Sequence, residues 1–425
     1  MTVLLKMNLL DILQFFITII FLFIVLSYYV LILIKKKEVD SKRKVSSVTV
    51  IIPVHNEERY IQDAIDSTIK AYFKGQKDII VVDDGSTDST AKIAKAYENK
   101  GVKLISTKHS GKSASINRAL KIAKGELVAI VDGDSCIHED ALQEMSDELL
   151  NQNAVGACGV VKVKNRKKPI CMWMHIEQLY NSLMRLLFSK LNANIVTPGP
   201  LSMYKRKELL ELGGFSTEGF SEDIDITIRL IRKGHKIVFA EKAVAETNMP
   251  SDAKGFFNQR TRFARGMINM LKRHMDFNNK FIDFYTLPIL LFSYIQAVLM
   301  GIFIIYQIIS GYVAYFASKG VYLSFHVLKF FLEWFSVIGF VRWVASVLSG
   351  QTPFTFITLV GIISTLLTYP LYFLAIIKFD KKIDLWHLIP IFFMFPFWLL
   401  IMIIYTIMLP EYFRKQQYNI WKKNE

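Results

Sequence analysis

The sequence predicts a mixed α/β domain with a mainly parallel, doubly wound sheet, set between membrane-spanning segments. Three observations predict it. From about residue 45 to 280, short apolar runs of strand length alternate with helical stretches over short connections. Residues 9–34 and about 284–410 are instead mostly apolar, in segments long enough to cross a bilayer. Three predicted strands end in acids, where open α/β sheets place their ligands. The 425 residues therefore divide into an anchor with a basic linker (1–44), a catalytic-type domain (45–280), and C-terminal spans with a basic tail (281–425).

The elements follow in order. Residues 9–34 read as a retained anchor, too long for a usual signal peptide and without a small-residue cleavage site. Lys35, Lys36 and Lys37 follow it, with Lys42, Arg43 and Lys44 close behind, so this end and the domain after it face the cytoplasm. Val48–Val54 is a strand ending at His55-Asn56-Glu57. Glu58 to Ala71 is a helix with Ile61, Ala64, Ile65 and Ile69 on one side. Ile79–Val82 is a second strand. Ser86 to Tyr97 is a second helix, with Ser86 or Thr87 as N-cap. Val102–Ile105, a helix over Ser113–Ala123, and a strand over Leu127–Val131 come next. A helix from about Glu139 to Leu150 and a strand near Val155–Val163 complete the alternation.

Beyond it, Met172, Trp173, Ile176, Leu179, Tyr180, Leu183 and Leu187 recur at helical spacing between basic ends. That pattern fits a core helix or one lying on the bilayer surface. The C-terminal apolar segments are about 286–310, 321–349, 353–377 and 386–409. The second carries Lys329, Glu333 and Arg342, and so either lines a polar pathway or lies at the interface. Four spans return the tail to the cytoplasm but leave Lys378, Lys381 and Lys382 outside; three reverse both placements.

The net charge is +15. Many of the cations flank apolar segments, which points to anionic lipid headgroups rather than nucleic acid. Cys136, Cys158 and Cys171 form no CxxC pair, so neither a disulfide framework nor a zinc site is expected.

Chemistry concentrates at the strand ends. Leu127–Asp134 ends in Asp132-Gly133-Asp134; two acids with a glycine that permits a tight turn can hold a hard divalent cation against phosphate oxygens. A polar turn is the plain alternative. The second strand ends at Asp83-Asp84 and the first at Glu57, so acids from three strands meet at one edge, suited to nucleobase N–H or ribose hydroxyl groups. Lys112, near a helix N-terminus, suits a phosphate, although the P-loop spacing is absent. Gly199-Pro-Leu-Ser-Met-Tyr and Gly213-Gly-Phe suggest shaped loops near a ligand. Glu222 and Asp223 open a helix over Ile224–Arg232, where they either favour its dipole or supply a general base. In Gln259-Arg-Thr-Arg-Phe a helix puts Gln259, Arg262 and Phe263 on one face. Arg262 can neutralise a diphosphate there and Phe263 can stack on a sugar; an amphipathic membrane-surface helix is the plain reading.

Taken in order, Asp83-Asp84-Gly85, Asp132-Gly-Asp134, Glu222-Asp223 and Gln259-Arg-Thr-Arg262-Phe263 resemble the D, DxD, (E/T)D, QxxRW signature of membrane-embedded family 2 glycosyltransferases. That group includes cellulose, chitin, hyaluronan and poly-N-acetylglucosamine synthases. The Ile-Ile-Pro-Val-His-Asn-Glu-Glu strand end is similar to the family's first strand, and Gly-Pro-Leu-Ser-Met-Tyr-Lys-Arg is similar to hyaluronan and chitin synthases. The resemblance covers about residues 45–275. It implies a GT-A fold, a nucleotide-sugar donor (usually UDP-linked) and Mg2+ or Mn2+. Carried over, Asp83 or Asp84 contacts the uridine, Asp134 is the main metal ligand and Asp132 assists at the donor. Asp223 is the base, and Gln259 and Arg262 hold the diphosphate. Phe263 stands where the family usually has Trp, in the acceptor-binding position. The resemblance further implies an inverting transferase in a multi-pass plasma-membrane protein with a cytoplasmic catalytic domain. Its acceptor is a growing polysaccharide, passed outward through the spans, or alternatively a membrane lipid that takes a single sugar.

Overall fold

In a computed structural model, the structure describes residues 9–35, 45–219, 221–275, 280–307, 335–410 and scattered positions between 310 and 333. Contacts group these into two units, one formed by the N-terminal helix to residue 34 with residues 289–409, the other by the chain between them up to residue 288.

The second unit is built on eight strands: β1 (Ser47–Val54), β2 (Gln76–Asp83), β3 (Val102–Ser106), β4 (Leu127–Ile130), β5 (Ser135–Ile137), β6 (Gly156–Val163), β7 (Ser202–Lys205) and β8 (Ile237–Thr247). They form one sheet in the order β3-β2-β1-β4-β7-β6-β8-β5. β1 pairs in parallel with β2 on one side and β4 on the other. The chain winds outward through β3, then returns to β4 across β1. The carboxyl ends of β1, β2 and β4 therefore meet at a topological switch point, where such sheets leave a crevice. β7 is antiparallel to β4 and to β6, and β5 is antiparallel to β8. The sheet is thus mixed but mostly parallel, and the predicted strict β/α alternation is broken at β5, which follows β4 without a helix between them. Full burial on both faces explains why β1 and β4 read as continuous apolar runs rather than alternating ones.

The helices of this unit are α2 (Ile61–Lys70), α3 (Thr90–Lys95), α4 (Lys112–Ile122), α5 (Ala141–Asn151), α6 (Pro169–Ser189), α7 (Arg206–Glu211), α8 (Glu222–Arg232), α9 (Ala253–His274) and α10 (Phe281–Phe284). Two begin later than predicted, for one reason. Asn56 adopts a left-handed backbone, φ 53°, and the β1–α2 turn is laced to the β2–α3 turn. Asn56 N–H donates to Ser86 Oγ (2.9 Å) and Thr87 N–H to Asn56 Oδ1 (2.8 Å). Glu58 N–H donates to Asp88 Oδ2 and Ser89 N–H to Glu58 Oε2. Ser86 and Thr87 are spent on this lacing, so neither caps a helix; α3 starts after Ser89, which makes no side-chain cap bond. Lys77 on β2 then closes α2, its half-buried ammonium donating to the carbonyls of Thr68, Ile69 and Ala71.

α6 resolves the choice left open by its pattern. Met172, Ile176, Leu179, Leu183 and Leu187 are buried, as are His175, Glu177 and Arg185, and the helix packs on β6 and β8. It is a core helix. The three cysteines are free.

The other unit contains α1 (Leu9–Leu33), α12 (Val337–Leu348), α13 (Phe356–Phe379), α14 (Leu385–Phe392) and α15 (Met394–Met408), with α11 (Thr286–Gln307) leading into it. α1 packs on α13, with Tyr29 Oη donating to the Leu367 carbonyl at 2.6 Å. Among the described residues, three helical stretches are long and apolar enough to cross a membrane: Ile12–Leu33, Phe281–Phe303 and Phe356–Phe379. α14 and α15 meet at a 58° bend and make a fourth if they form one span. Of the predicted 321–349 segment, most of the first half, to residue 334, lies outside the described residues. Lys329 and Arg342 both pair with Glu333, so these charges compensate one another.

Candidate active site

The three acidic strand ends meet as predicted, but with different chemistry. Asp84 is fully buried and saturated with donors. Ser110 N–H (3.0 Å), Ser110 Oγ (3.0 Å), Gly111 N–H (2.7 Å) and Thr107 Oγ1 (3.3 Å) all donate to its carboxylate. Burial opposes its charge, yet these donors hold its pKa below the usual carboxylate range. Asp84 is the post around which the 107–111 loop is wound. That loop delivers Lys112 to the first position of α4. Asp83, also buried, accepts from Ser86 N–H at 3.2 Å and so shapes the adjoining turn. His55 and His109 stack over this corner with ring centroids 4.2 Å apart, and each Nδ1 lies within 3.0 Å of the Asp84 carbonyl oxygen.

One strand further on, the balance reverses. Lys112 Nζ lies 2.5 Å from Asp132 and 3.4 Å from Glu222. Burial lowers the lysine pKa, but Asp132, Glu222 and Asp223 outweigh it and hold Lys112 charged, above the ordinary lysine range. Burial raises Asp132, and the charges of Asp134 and Glu222 raise it further against Lys112. Asp223 is pushed up to about 7, by burial first and by the Glu222 charge second. Its carboxylate takes one hydrogen bond, from Ile224 N–H at 2.9 Å. Its carbonyl anchors Thr227 Oγ1 (2.6 Å), and Thr227 contacts Thr197, which in turn contacts Tyr204, all of them buried. Asp223 therefore stands on a polar, fixed support with its carboxylate poised to exchange a proton.

Gly199 shows how closely the cluster is built, because a Cβ there would collide with Lys112 Nζ and both Asp132 oxygens. Gly133 also serves by size. The predicted tight turn is present, with Ser135 N–H donating to the Asp132 carbonyl at 3.0 Å, although Gly133 is not left-handed there. A Cβ there would meet Val54 Cγ1 at 2.6 Å and Glu57 Cγ at 3.3 Å. This places Glu57, buried at the end of β1, beside the DxD. Asp134 accepts from Ser135 Oγ (3.1 Å) and Thr247 Oγ1 (3.3 Å).

A divalent cation fits this edge. Asp132, Glu222 and Asp223 act on the ammonium of Lys112 and Asp134 acts on Asp132, and carboxylate oxygens are the donors that Mg2+ or Mn2+ takes. Burial first, and then the neighbouring acids, raise Asp132 and Asp223, and a cation relieves the second of these.

The predicted residues of α9 do not join this cluster directly. Asp134 is linked to them through the strand end: Asn248 N–H donates to the Asp134 carbonyl (3.3 Å), and Gln259 Nε2 donates to Met249 Sδ (3.3 Å). The Gln259 amide oxygen is buried and has no hydrogen-bond partner among the described residues. Arg262 is exposed and lies 5.8 Å from the centroid of the Phe263 ring, which is itself 40% exposed. Sequence reasoning passed over Arg260, which is 4% exposed and binds Glu177 on α6 through both guanidinium nitrogens at 2.6 and 2.5 Å. The signal was present. Phe256 and Ala264 lie one helical turn to either side of it, marking that face as buried.

Comparison with known proteins gives the same reading of the domain. Residues 49–213 match the family model described as glycosyl transferase family 2. The probable glycosyltransferase YdaM of Bacillus subtilis is 29% identical over 240 residues, 53% of this chain and 56% of that protein. The poly-beta-1,6-N-acetyl-D-glucosamine synthase of Staphylococcus aureus is 26% identical over 272 residues, 63% of this chain. The chain thus spans 56% and 65% of these two relatives' own lengths. A mannosyltransferase from Pyrobaculum calidifontis, solved in complex with GDP-Man and Mn2+, aligns with 88% of this chain and 98% of its own. The TM-score is 0.57 at 20% identity, a likeness of fold. The likeness to glycosyl transferase family 2 thus lies in residues 49–213, under half of the chain.

Proposed function

We propose that the protein is a membrane-anchored, metal-dependent inverting glycosyltransferase. It moves a sugar from a nucleotide-sugar donor, UDP-linked, to a growing polysaccharide. The observation that carries this reading is Asp223: a half-buried carboxylate pushed up to about 7, close enough to Glu222, Lys112 and Asp132 to feel their charges.

The strand-end corner of Glu57, Asp83 and Asp84 takes the nucleoside, and Lys112 and Arg262 take diphosphate oxygens. Asp134, with Asp132, would hold Mg2+ or Mn2+, which when bound neutralises charge on the departing diphosphate. Asp223 removes the proton from the acceptor hydroxyl as that oxygen bonds to the anomeric carbon and the carbon–diphosphate bond breaks. The entering and leaving oxygens lie on opposite faces, so configuration inverts. Glu222 keeps Asp223 basic enough to accept that proton, because its charge raises Asp223 while Lys112 limits the rise. The exposed Phe263 ring offers the acceptor sugar a flat face.

The apolar helices support a multi-pass membrane protein. The basic residues 35–37 support a cytoplasmic catalytic domain, and the plasma membrane is then the site where product is passed outward. The test is incubation of purified membranes with a panel of UDP- and GDP-sugars and Mg2+ or Mn2+, with products sized. A sugar ladder formed from a UDP-sugar is expected. A single extractable glycolipid would move the acceptor to a lipid, and no turnover of any donor would overturn the reading.

A further inference from the structure

The Gln259–Phe263 stretch carries two arginines, and the fold gives them opposite fates. Residues two apart on a helix point about 200° apart around its axis. Arg260 faces inward, where Glu177 of α6 binds it in a bidentate pair, both partners no more than 6% exposed. Its guanidinium is flanked by Phe256 and Phe263, at 5.1 and 5.7 Å from the ring centroids. Arg262 must then face outward, and it does. Charge, length and flexibility are the same at both positions. What distinguishes them is the anion waiting in the core.

We propose that Glu177 and Arg260 form a positioning pair for the donor site. The buried ion pair fixes the rotation of α9, presents Arg262 to the diphosphate, and keeps Gln259 beside Met249. Neither partner touches the substrate. The bidentate geometry suits this role, because a planar fork on a carboxylate fixes orientation as well as distance. Burial makes the choice sharp: an uncompensated charge on either partner is costly, so Arg262 and Arg260 do not exchange places. Phe263 is tied to the same pair through the Arg260 guanidinium, so the acceptor-side ring is set by the same contact. The inference rests on the reading of Arg262 as a diphosphate ligand.

The test uses the full chain purified in detergent, with Mn2+ and either UDP or GDP as probe, whichever wild type binds more tightly. Dissociation constants and melting temperatures are measured for wild type, Glu177→Gln, Arg260→Lys, Arg262→Ala and the double variant Glu177→Gln/Arg262→Ala. Glu177→Gln and Arg260→Lys are expected to weaken nucleotide binding about tenfold, a coupling typical of residues in one network. The double variant is expected to bind no worse than Arg262→Ala alone, because the pair acts through Arg262. A merely structural pair would lower the melting temperature without changing affinity, or its loss would add in full to that of Arg262→Ala; either result overturns the proposal. If Glu177→Gln does not fold, the reversed pair Glu177→Arg/Arg260→Glu decides. Affinity within about threefold of wild type supports positioning, and a tenfold loss in a folded protein overturns it. Failure of wild type itself to bind either nucleotide would overturn the donor-site reading, and this proposal with it.

Discussion

Two groups of carboxylates lie near one edge of the sheet and behave in opposite ways. Asp84 is surrounded by donors and held below the ordinary carboxylate range. Asp132, just beyond β4, and Asp223, in the first turn of α8, are half-buried and face other acids, and are held above it. Burial opposes the charge in both groups, so burial alone is not what separates structure from chemistry. The number of hydrogen-bond donors aimed at each carboxylate does that. A carboxylate wound in by a loop is a post; one left with a single donor beside a like charge is a reagent.

The largest break in this comparison comes from the reagent side. Asp134→Ala should leave no measurable sugar transfer, and excess EDTA should do the same to wild type; full activity in either case would remove the cation from the account. Asp223→Asn should keep donor binding and lower the transfer rate roughly 10²- to 10⁴-fold, the range for loss of a positioned base. An inactive Glu222→Gln beside an active Asp223→Asn would reassign the base.

On the structural side the effect should appear as stability. Asp84→Asn removes a charged acceptor from the 107–111 loop and should cost about 1.5–3 kcal/mol in unfolding free energy. The pH dependences should then have opposite signs. Asp84 has a lowered pKa, so its contribution is present at neutral pH and lost as pH falls through its folded value; the melting temperatures of wild type and Asp84→Asn should converge in acid. Asp223 has a raised pKa, so the stability linked to its protonated form is full below the ordinary carboxylate value and lost as pH rises through about 7. Asp223→Asn should lack that loss. Transfer by wild type should rise with pH as Asp223 ionises, at or below about 7 because a bound cation lowers it. A transfer rate that falls as pH rises towards 7 would contradict this.

The smallest effect belongs to Phe263. Its exposed ring should give a two- to tenfold weakening of acceptor binding in Phe263→Ala, roughly the scale of one aromatic stacking contact. Donor hydrolysis should survive, and Phe263→Trp should be tolerated. Equal loss of both activities with a lowered melting temperature would make Phe263 a packing residue.

The comparison also separates what could be read in the chain from what could not. β1, β2 and β4 were legible because strands buried on both faces write themselves as apolar runs, and their acidic ends follow directly. Asp132 and Asp223 were legible as candidates from their place in an ordered set of acids, although a polar turn and a helix dipole account for each of them locally. The role of Asp84 was not, since its donors come from Ser110 and Gly111, a separation that no local pattern encodes. The late start of α3 was hidden likewise, because Ser86 and Thr87 are claimed by Asn56, thirty and thirty-one residues away. The pairing of Glu177 with Arg260 spans 83 residues and requires the fold to be known first. Spacing shows which face of α9 is buried, but not what waits there.

The most direct test of the central claim is a paired measurement on folded, purified protein: nucleotide-sugar binding and sugar transfer, for wild type and Asp223→Asn, with Mn2+ present. The account predicts that both proteins bind donor with similar affinity and that only wild type transfers at an appreciable rate. Transfer by Asp223→Asn at the wild-type rate would contradict it.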